Sequence, residues 1–340
     1  MNDALIEPDG PSAANWATDD VVIAFRTVRS GISGRVVRLA GTVNETLTRH
    51  NYPEPVSHVL GEALALAALL GSQLKFDGRL ILQTKSDGPI GFLVVNYDTA
   101  GTMRGYASFD AERLAGPPPA AIGDAQPKAI AQRWTEGALL GSGHLAMTID
   151  PAGDAGDMER TQGIVAMGGG TLSDAAHEYF RASEQLPTFI KLSVARHFAG
   201  GVWHWRAGGL MVQHVTSEGG TPLAKPTTDT HTDDDLLGTD DDNWRRVEML
   251  ARTVEDHELL DPLLTPDQLL YRLFHEEGVR ASEPTPVKMA CRCSRDAVGV
   301  FLKSFGMRQL TDMRDADGSV TVTCEFCTTP YRFTETDLGA

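Results

Sequence analysis

Apolar positions recur along this chain with two periods, and the period changes block by block. Val21–Val28 (VVIAFRTV) and Arg35–Gly41 (RVVRLAG) are rich in β-branched residues and flank a Ser-Gly region, which predicts two neighbouring strands. After Pro53 and Pro55 the period becomes helical, with Leu60, Ala63, Leu64, Ala67 and Leu70 recurring within Val56–Leu74. Ala and Leu dominate that segment, which predicts a buried central helix. Arg79–Thr84, Gly91–Tyr97 and Met103–Phe109 are then separated only by the turn sequences SDGP and DTAG, which predicts an antiparallel meander. Further strands are predicted over His144–Asp150, Gln162–Met167, Phe189–Phe198 and Gly209–Val215. A helix from about Leu172 to Gln185 is predicted behind the cap pair Thr171 and Asp174.

These elements predict an α+β fold, with an N-terminal, mainly antiparallel sheet and packed helices over residues 20–215. Residues 216–243 are crowded with Gly, Pro, Thr and Asp and read as a flexible acidic linker insert. Periodicity resumes in 244–285, a helical linker in which Val247, Leu250, Val254 and Leu259 share one face. Its second helix, Thr265–Gly278, is well signalled: Thr265 as N-cap, Pro266 first, Gln268 completing a capping box and Gly278 as the stop. Leu269, Leu270, Leu273 and Phe274 give it an apolar stripe that needs a partner. Residues 286–340 form a small terminal unit holding all four cysteines of the chain.

Composition narrows the function. With 41% hydrophobic and 22% charged residues in 340, the bulk is that of a globular protein. No apolar run is long enough to span a membrane, and the acidic start MNDALIEPDG lacks the basic and apolar regions of a secretory signal, so a cytoplasmic location is expected. The net charge of -16 repels phosphate backbones and argues against nucleic-acid binding. That charge is concentrated: Ser217–Asp261 holds 4 Lys/Arg against 13 Asp/Glu.

The candidate chemistry lies in Cys291-Arg-Cys293 and Cys324-Glu-Phe-Cys327. In a reducing cytosol, two short-range cysteine pairs are more naturally thiolate ligands than structural disulfides, and four of them suit one tetrahedral Zn2+ per chain. Four protein ligands leave no open position for water, so hydrolytic zinc chemistry is not expected, and with no Ser/His/Asp signature or phosphate-binding Gly-rich loop the chain does not read as an enzyme. The plain reading is an inert zinc staple or a zinc-ribbon binding module. The terminal unit 281–340, with 7 Lys/Arg against 8 Asp/Glu, offers nucleic acid no basic surface. The C-x-C pair is uncommon in such staples, and oxidation of these four thiols to two short-range disulfides leaves no odd one. A thiol-disulfide oxidoreductase using Cys324 and Cys327 is the alternative, disfavoured because that pair does not open a helix after a strand. His275, beside Glu276 and Glu277, reads as a solvated helix end, and His204, between Trp203 and Trp205, as a strand residue that packs or faces water.

The spacing C-x-C-S-R followed by C-x-F-C-x-x-x-Y-x-F resembles the zinc signature of the redox-regulated holdase chaperones of bacteria, the thirty-three-kilodalton heat-shock protein family. The resemblance extends through His50–Pro89, Met103–Ala107, Gln162–Val165, Glu178–Thr188 and Leu269–Glu277, and so covers roughly 20–215 and 244–337. It implies a reduced, zinc-bound, weakly active form. Oxidative stress, especially with heat, would turn it into an ATP-independent holdase. It further implies that Cys291 pairs with Cys293 and Cys324 with Cys327, that zinc leaves, and that the helical linker is destabilised. Exposed apolar surface would then capture unfolding clients, with a homodimer as the activated form. Leu250, Leu269, Leu273 and Phe274 are the residues expected to pack the linker down.

The insert departs from the family by its length and charge. Ser217–Asn243 carries 1 Lys/Arg against 8 Asp/Glu, and like charge beside newly exposed apolar surface opposes association. Deleting it is expected to raise self-aggregation of the oxidised protein, measured by light scattering. Unchanged scattering would remove this role.

Overall fold

Two sheets face each other across one buried helix, and the chain builds them in alternation. The computed structural model describes residues 4–5, 19–117, 134–152, 159–214, 240–305 and 307–338. Strands β1 (Ala4–Leu5), β2 (Val21–Thr27) and β3 (Ser33–Leu39) begin the first sheet, and helices α1 (Gly41–His50) and α2 (Glu54–Gly71) follow. The second sheet starts as the meander β4 (Gly78–Ser86), β5 (Phe92–Asp98) and β6 (Thr102–Ser108). After the short α3 (Ala111–Ala115) and α4 (Glu136–Leu140), it continues with β7 (Ser142–Pro151) and β8 (Thr161–Gly168). Helix α5 (Leu172–Tyr179) leads back to the first sheet through the long hairpin β9 (Thr188–Ala199) and β10 (Val202–Gln213).

The linker comprises α6 (Asp240–Arg252), α7 (Asp256–Leu260) and α8 (Pro266–Phe274). Three short strands follow, β11 (Val279–Ala281), β12 (Thr285–Pro286) and β13 (Lys288–Met289). The terminal unit adds α9 (Arg295–Lys303), α10 (Met307–Asp312), the hairpin β14 (Val320–Thr323) and β15 (Pro330–Phe333), and α11 (Glu335–Leu338). The first sheet runs β1-β11-β2-β3-β10-β9 with β12 also on β2, and the second runs β13-β6-β5-β4-β7-β8. The pairings within both are antiparallel except that of β13 with β6, which is parallel.

Helix α2 is the predicted central helix, and its Ala/Leu composition is what two sheets require of it. Pro55 in its first turn presets the backbone, and every residue from Ala63 to Leu70 is buried. The sheets approach closely because glycines face it. A Cβ on Gly105 of β6 would lie 3.1 Å from Leu60 and 3.2 Å from Leu64, and one on Gly209 of β10 would lie 2.9 Å from Leu69. The predicted pair β2–β3 and the predicted meander are present, with registers such as Ile23↔Val36 and Val95↔Gly105. The α+β class, with an antiparallel N-terminal part, packed helices and a terminal four-cysteine unit, is as expected.

Several elements differ from expectation for local reasons. The helix predicted over Leu172–Gln185 is regular only to Tyr179, then widens into a π turn closed by Gln185 at φ 54 ahead of Pro187. The helix predicted to Gly278 is α-helical to Phe274 and ends in a 3-10 turn, with Gly278 at φ 62. The linker's first helical stretch is two helices, broken before a capping box of Glu255 with Glu258. The segment after Gly278 is not helical, and β11 and β12 join the first sheet. Helix α1 was not expected, because its N-terminal cap is remote: the Asp20 carboxylate accepts from the backbone N–H groups of Ala40, Gly41 and Thr42. Most of the acidic insert lies outside the described residues.

One half-buried polar contact gives this core a pH dependence. Glu62 of α2 hydrogen-bonds Glu136 of α4, whose carboxylate also accepts from Leu172 N–H at 2.6 Å. Burial, and then the Glu136 charge, push the Glu62 carboxyl up to about 9. The folded state therefore keeps a proton that the unfolded chain releases near its ordinary 4.5, so stability falls as pH rises from about 4.5 towards 9. Glu62→Gln is expected to raise the urea midpoint at pH 8 and to change it little at pH 4.5. A midpoint lowered at pH 8 would contradict this reading.

Candidate functional site

The four cysteines are brought together by two tight local structures. Cys291 and Cys293 lie on the extended chain between β13 and α9, whose N-cap Ser294 accepts from Ala297 N–H at 3.1 Å. Cys324 and Cys327 sit in the turn of the β14–β15 hairpin, where Thr328 N–H donates to the Cys324 carbonyl at 2.8 Å and Thr328 takes φ 57. The Sγ atoms of Cys291 and Cys324 are 3.7 Å apart, those of Cys293 and Cys327 are 3.2 Å apart, and all four lie within 4.8 Å of one another. A tetrahedral metal with bonds of about 2.3 Å to sulfur places its ligands roughly 3.8 Å apart, so this donor set fits one ion.

The electrostatics of the set also call for a cation. Burial pushes the Cys293 thiol up to about 12, while Tyr331 Oη–H donates to its sulfur at 3.1 Å. At Cys327 burial acts in the same direction but is outweighed by hydrogen bonds with Thr329, which bring it down to about 7. Thiols this close share protons unequally, and all four become thiolates together only when a positive ion compensates them. The unit around them needs such a staple. Its buried apolar cluster is Leu302, Leu310, Val320 and Phe333, too small a core to hold the terminal segment alone.

The cysteine unit is docked on the second sheet. Lys288 N–H donates to Gly101 O at 2.9 Å and Ala290 N–H to Met103 O at 3.0 Å, so the chain reaches Cys291 as an added strand beside β6. There Arg104 Nη1 lies 3.7 Å from Cys291 Sγ, and its guanidinium sits 4.0 Å over the Phe326 ring. His50 Nε2 is 3.2 Å from the Phe326 carbonyl oxygen, the His50 ring stacks on Tyr52, and Arg292 pairs with Asp98.

The linker covers the outer face of the other sheet, the first. Val247, Ala251, Leu259, Leu269, Leu273 and Phe274 are buried against Val21, Ile23, Phe25 and Leu210, with Phe25 and Phe274 rings 5.4 Å apart. Of the expected packing residues, Leu269, Leu273 and Phe274 are fully buried and Leu250 partly. The polar part of this interface escapes the sequence reading. Arg38 of β3 is 1% exposed and donates to the carbonyls of Asp261, at 2.6 Å, and Glu258, at 2.7 Å. Arg206 of β10 donates to the Leu260 carbonyl at 2.7 Å and pairs with Asp19. Two guanidiniums thus grip the C-terminal carbonyls of α7, where a helix end is negative. Burial and the neighbouring Arg206 lower Arg38 to about 10, still cationic at neutral pH. The one signal was parity: each arginine interrupts an apolar strand on the face that the linker covers, in step with Val36 and with Leu210. Buried Glu277 is paired with Arg246.

Other sequence candidates stay apart from the cysteines. His275 is exposed at the end of α8, its Nδ1 3.2 Å from the Tyr271 carbonyl oxygen, and His204 is half-buried in β10 opposite His197. Among the described residues no helix is long and apolar enough to cross a membrane.

The model of the family described as "Hsp33 protein" matches residues 20–334. A "33 kDa chaperonin" of Caulobacter vibrioides is 42% identical over 314 residues, 92% of this chain and 94% of that one. Another from Azotobacter vinelandii is 36% identical over 309 residues, 91% of this chain and 89% of that one. Among solved structures, the 33 kDa chaperonin of Thermotoga maritima matches with a TM-score of 0.66 at 23% identity, covering 94% of this chain and 97% of that one. That likeness speaks for the fold.

The clamp on α7 is testable. Arg38→Ala removes charged donors to two buried carbonyls, a loss of about 1.5–3 kcal/mol per hydrogen bond. Amides in residues 256–274 of the reduced protein are expected to exchange roughly a hundredfold or more faster, while those of α2 do not. Gly208→Val, whose Cβ would lie 2.5 Å from the Leu259 carbonyl oxygen, is expected to do the same from the packing side. Exchange unchanged in both variants would show that α7 is not held here.

Proposed function

The chain belongs to the Hsp33 family, and from that premise we propose that it is a redox-regulated, ATP-independent holdase, silent when reduced and switched on by oxidative stress. The observation that supports this most directly is the placement of the four sulfurs within 4.8 Å of one another, in a unit with little core of its own, directly after the linker that covers an apolar sheet face.

Zn2+ bound by Cys291, Cys293, Cys324 and Cys327, one ion per chain, would keep the sulfurs deprotonated and tie the two ends of the unit together. Closure of Cys291 with Cys293 and of Cys324 with Cys327 releases two electrons and two protons per disulfide, so one chain reduces two equivalents of peroxide to water. The sulfurs then no longer serve as ligands, and the unit loses binding free energy on the order of 10 kcal/mol. Helices α6 to α8, 13, 5 and 9 residues long, are too short to stand without tertiary support. Once the following unit melts they detach from β2, β3 and β10, and the apolar face they covered receives unfolding proteins. Homodimerisation of the activated form and a cytoplasmic setting belong to this reading, with clients, rather than nucleic acid or membranes, as partners. Nothing in it requires catalytic turnover.

Titrating the reduced protein with peroxide or hypochlorous acid at elevated temperature tests the proposal. Metal release read with a chromophoric chelator, loss of all four free thiols and ATP-independent suppression of client aggregation are expected to rise together. Metal release without suppression would leave an inert staple, and turnover of insulin disulfides would favour the oxidoreductase alternative.

A further inference from the structure

The outer edge of β6 is a built strand-binding site, and what fills it now is this chain's own polypeptide. Gly101 O and Met103 O point outward and accept from Lys288 and Ala290, and Ala107 N–H, two pleats further on, donates to Tyr52 Oη at 3.0 Å. Along the same edge, Arg104, Tyr106, His50 and Tyr52 form a platform that carries the Phe326 ring, with Tyr106 and Phe326 centroids 6.4 Å apart. The occupant is therefore an extended backbone plus one aromatic side chain. Only the two residues of β13 are paired, so the attachment is small, and its continuation is the first cysteine pair. An edge strand left open is a template for further pairing, and proteins blunt such edges. At the β9 edge the Ile190 N–H is taken by a core helix, donating to His177 Nε2 at 2.8 Å. The cover on β6 is removable.

We propose that the β6 edge with its aromatic platform is a client-binding surface, taking an extended segment of unfolded polypeptide with an aromatic side chain, and that residues 288–290 and Phe326 occupy it as an internal mimic in the reduced protein. This rests on the holdase reading and adds a second surface, on the sheet opposite to the one the linker covers. When the cysteine unit melts, β13 and Phe326 leave together, because both flank the ligands. Main-chain pairing along β6 is indifferent to sequence, which suits clients that share only an unfolded backbone. Arg104 and the rings add a preference for aromatic residues.

The test uses the full oxidised chain with reduced, carboxymethylated α-lactalbumin as a permanently unfolded probe. Amides 101–108 are expected to exchange faster on oxidation and to be protected again by the probe. A photo-crosslinking residue in place of Ser108, exposed at the end of β6, is expected to capture the probe, and one in place of Gln162 on the far-edge strand β8 is not. In the reduced protein, Lys288→Pro removes the N–H that reaches Gly101 O and Phe326→Ala vacates the platform. Lys288→Pro is expected to strengthen probe binding roughly fivefold, the factor supplied by one backbone hydrogen bond, and Phe326→Ala roughly two- to fivefold, the factor of one cation–π contact, with metal content unchanged. Oxidised protein that holds the probe without protecting 101–108, crosslinking at 162 instead of 108, or reduced variants that both bind like the parent would overturn the proposal and leave the holdase reading standing. Oxidised protein that holds no client would overturn both.

Discussion

The outer face of the first sheet has to be covered, and the cover is made of helices too short to fold by themselves. Val21, Ile23, Phe25 and Leu210 present that face, and burying a side chain of this kind is worth about 1.5–3 kcal/mol. Val247, Leu259, Leu269 and Phe274 supply the other half of the contact. Apart, each half leaves in water the apolar surface that the other buries. The buried guanidinium of Arg38 makes the interface specific as well as apolar, because its donors find acceptors only if α7 stops where it does. An interface of this kind comes off as a unit: losing the carbonyls of Asp261 and Glu258 would leave a buried cation unpaired.

The covering segment is also mechanically continuous with the cysteines. From Phe274 the chain passes through β11 and β12 on the first sheet, crosses to β13 on the second, and enters Cys291 directly. Both sheets are therefore connected to the cysteine unit by strands of two or three residues. Short strands of this kind contribute little pairing energy, and their persistence depends on what anchors their ends. The anchors downstream are the four-cysteine cluster and the contacts of Arg104, His50 and Asp98 with the unit. Helix α2, buried between the sheets from Ala63 to Leu70, is the fixed frame.

Much of this was legible from local pattern. The strand periods, the Ala/Leu composition of α2, the capping box at Thr265 and the cysteine spacing are all encoded within a few residues, and short-range sterics and hydrogen bonding decide them. Spacing alone pointed to two cysteine pairs suited to one tetrahedral ion, and the four sulfurs do converge.

What the sequence could not display is which distant residues meet. Asp20 caps a helix that begins at Gly41, Arg38 reaches carbonyls more than two hundred residues away, and β13 adds to β6 in parallel across a similar span. Each is a contact between segments whose own periods look ordinary, so no local pattern distinguishes the strand that will carry a clamp from one that will not. The sequence by itself determined the elements and the ligand chemistry. The tertiary structure alone decided that the linker and the cysteine unit lie on opposite sheets, because loop closure over such lengths is settled by the packing of the whole core and not by the preferences of any one segment.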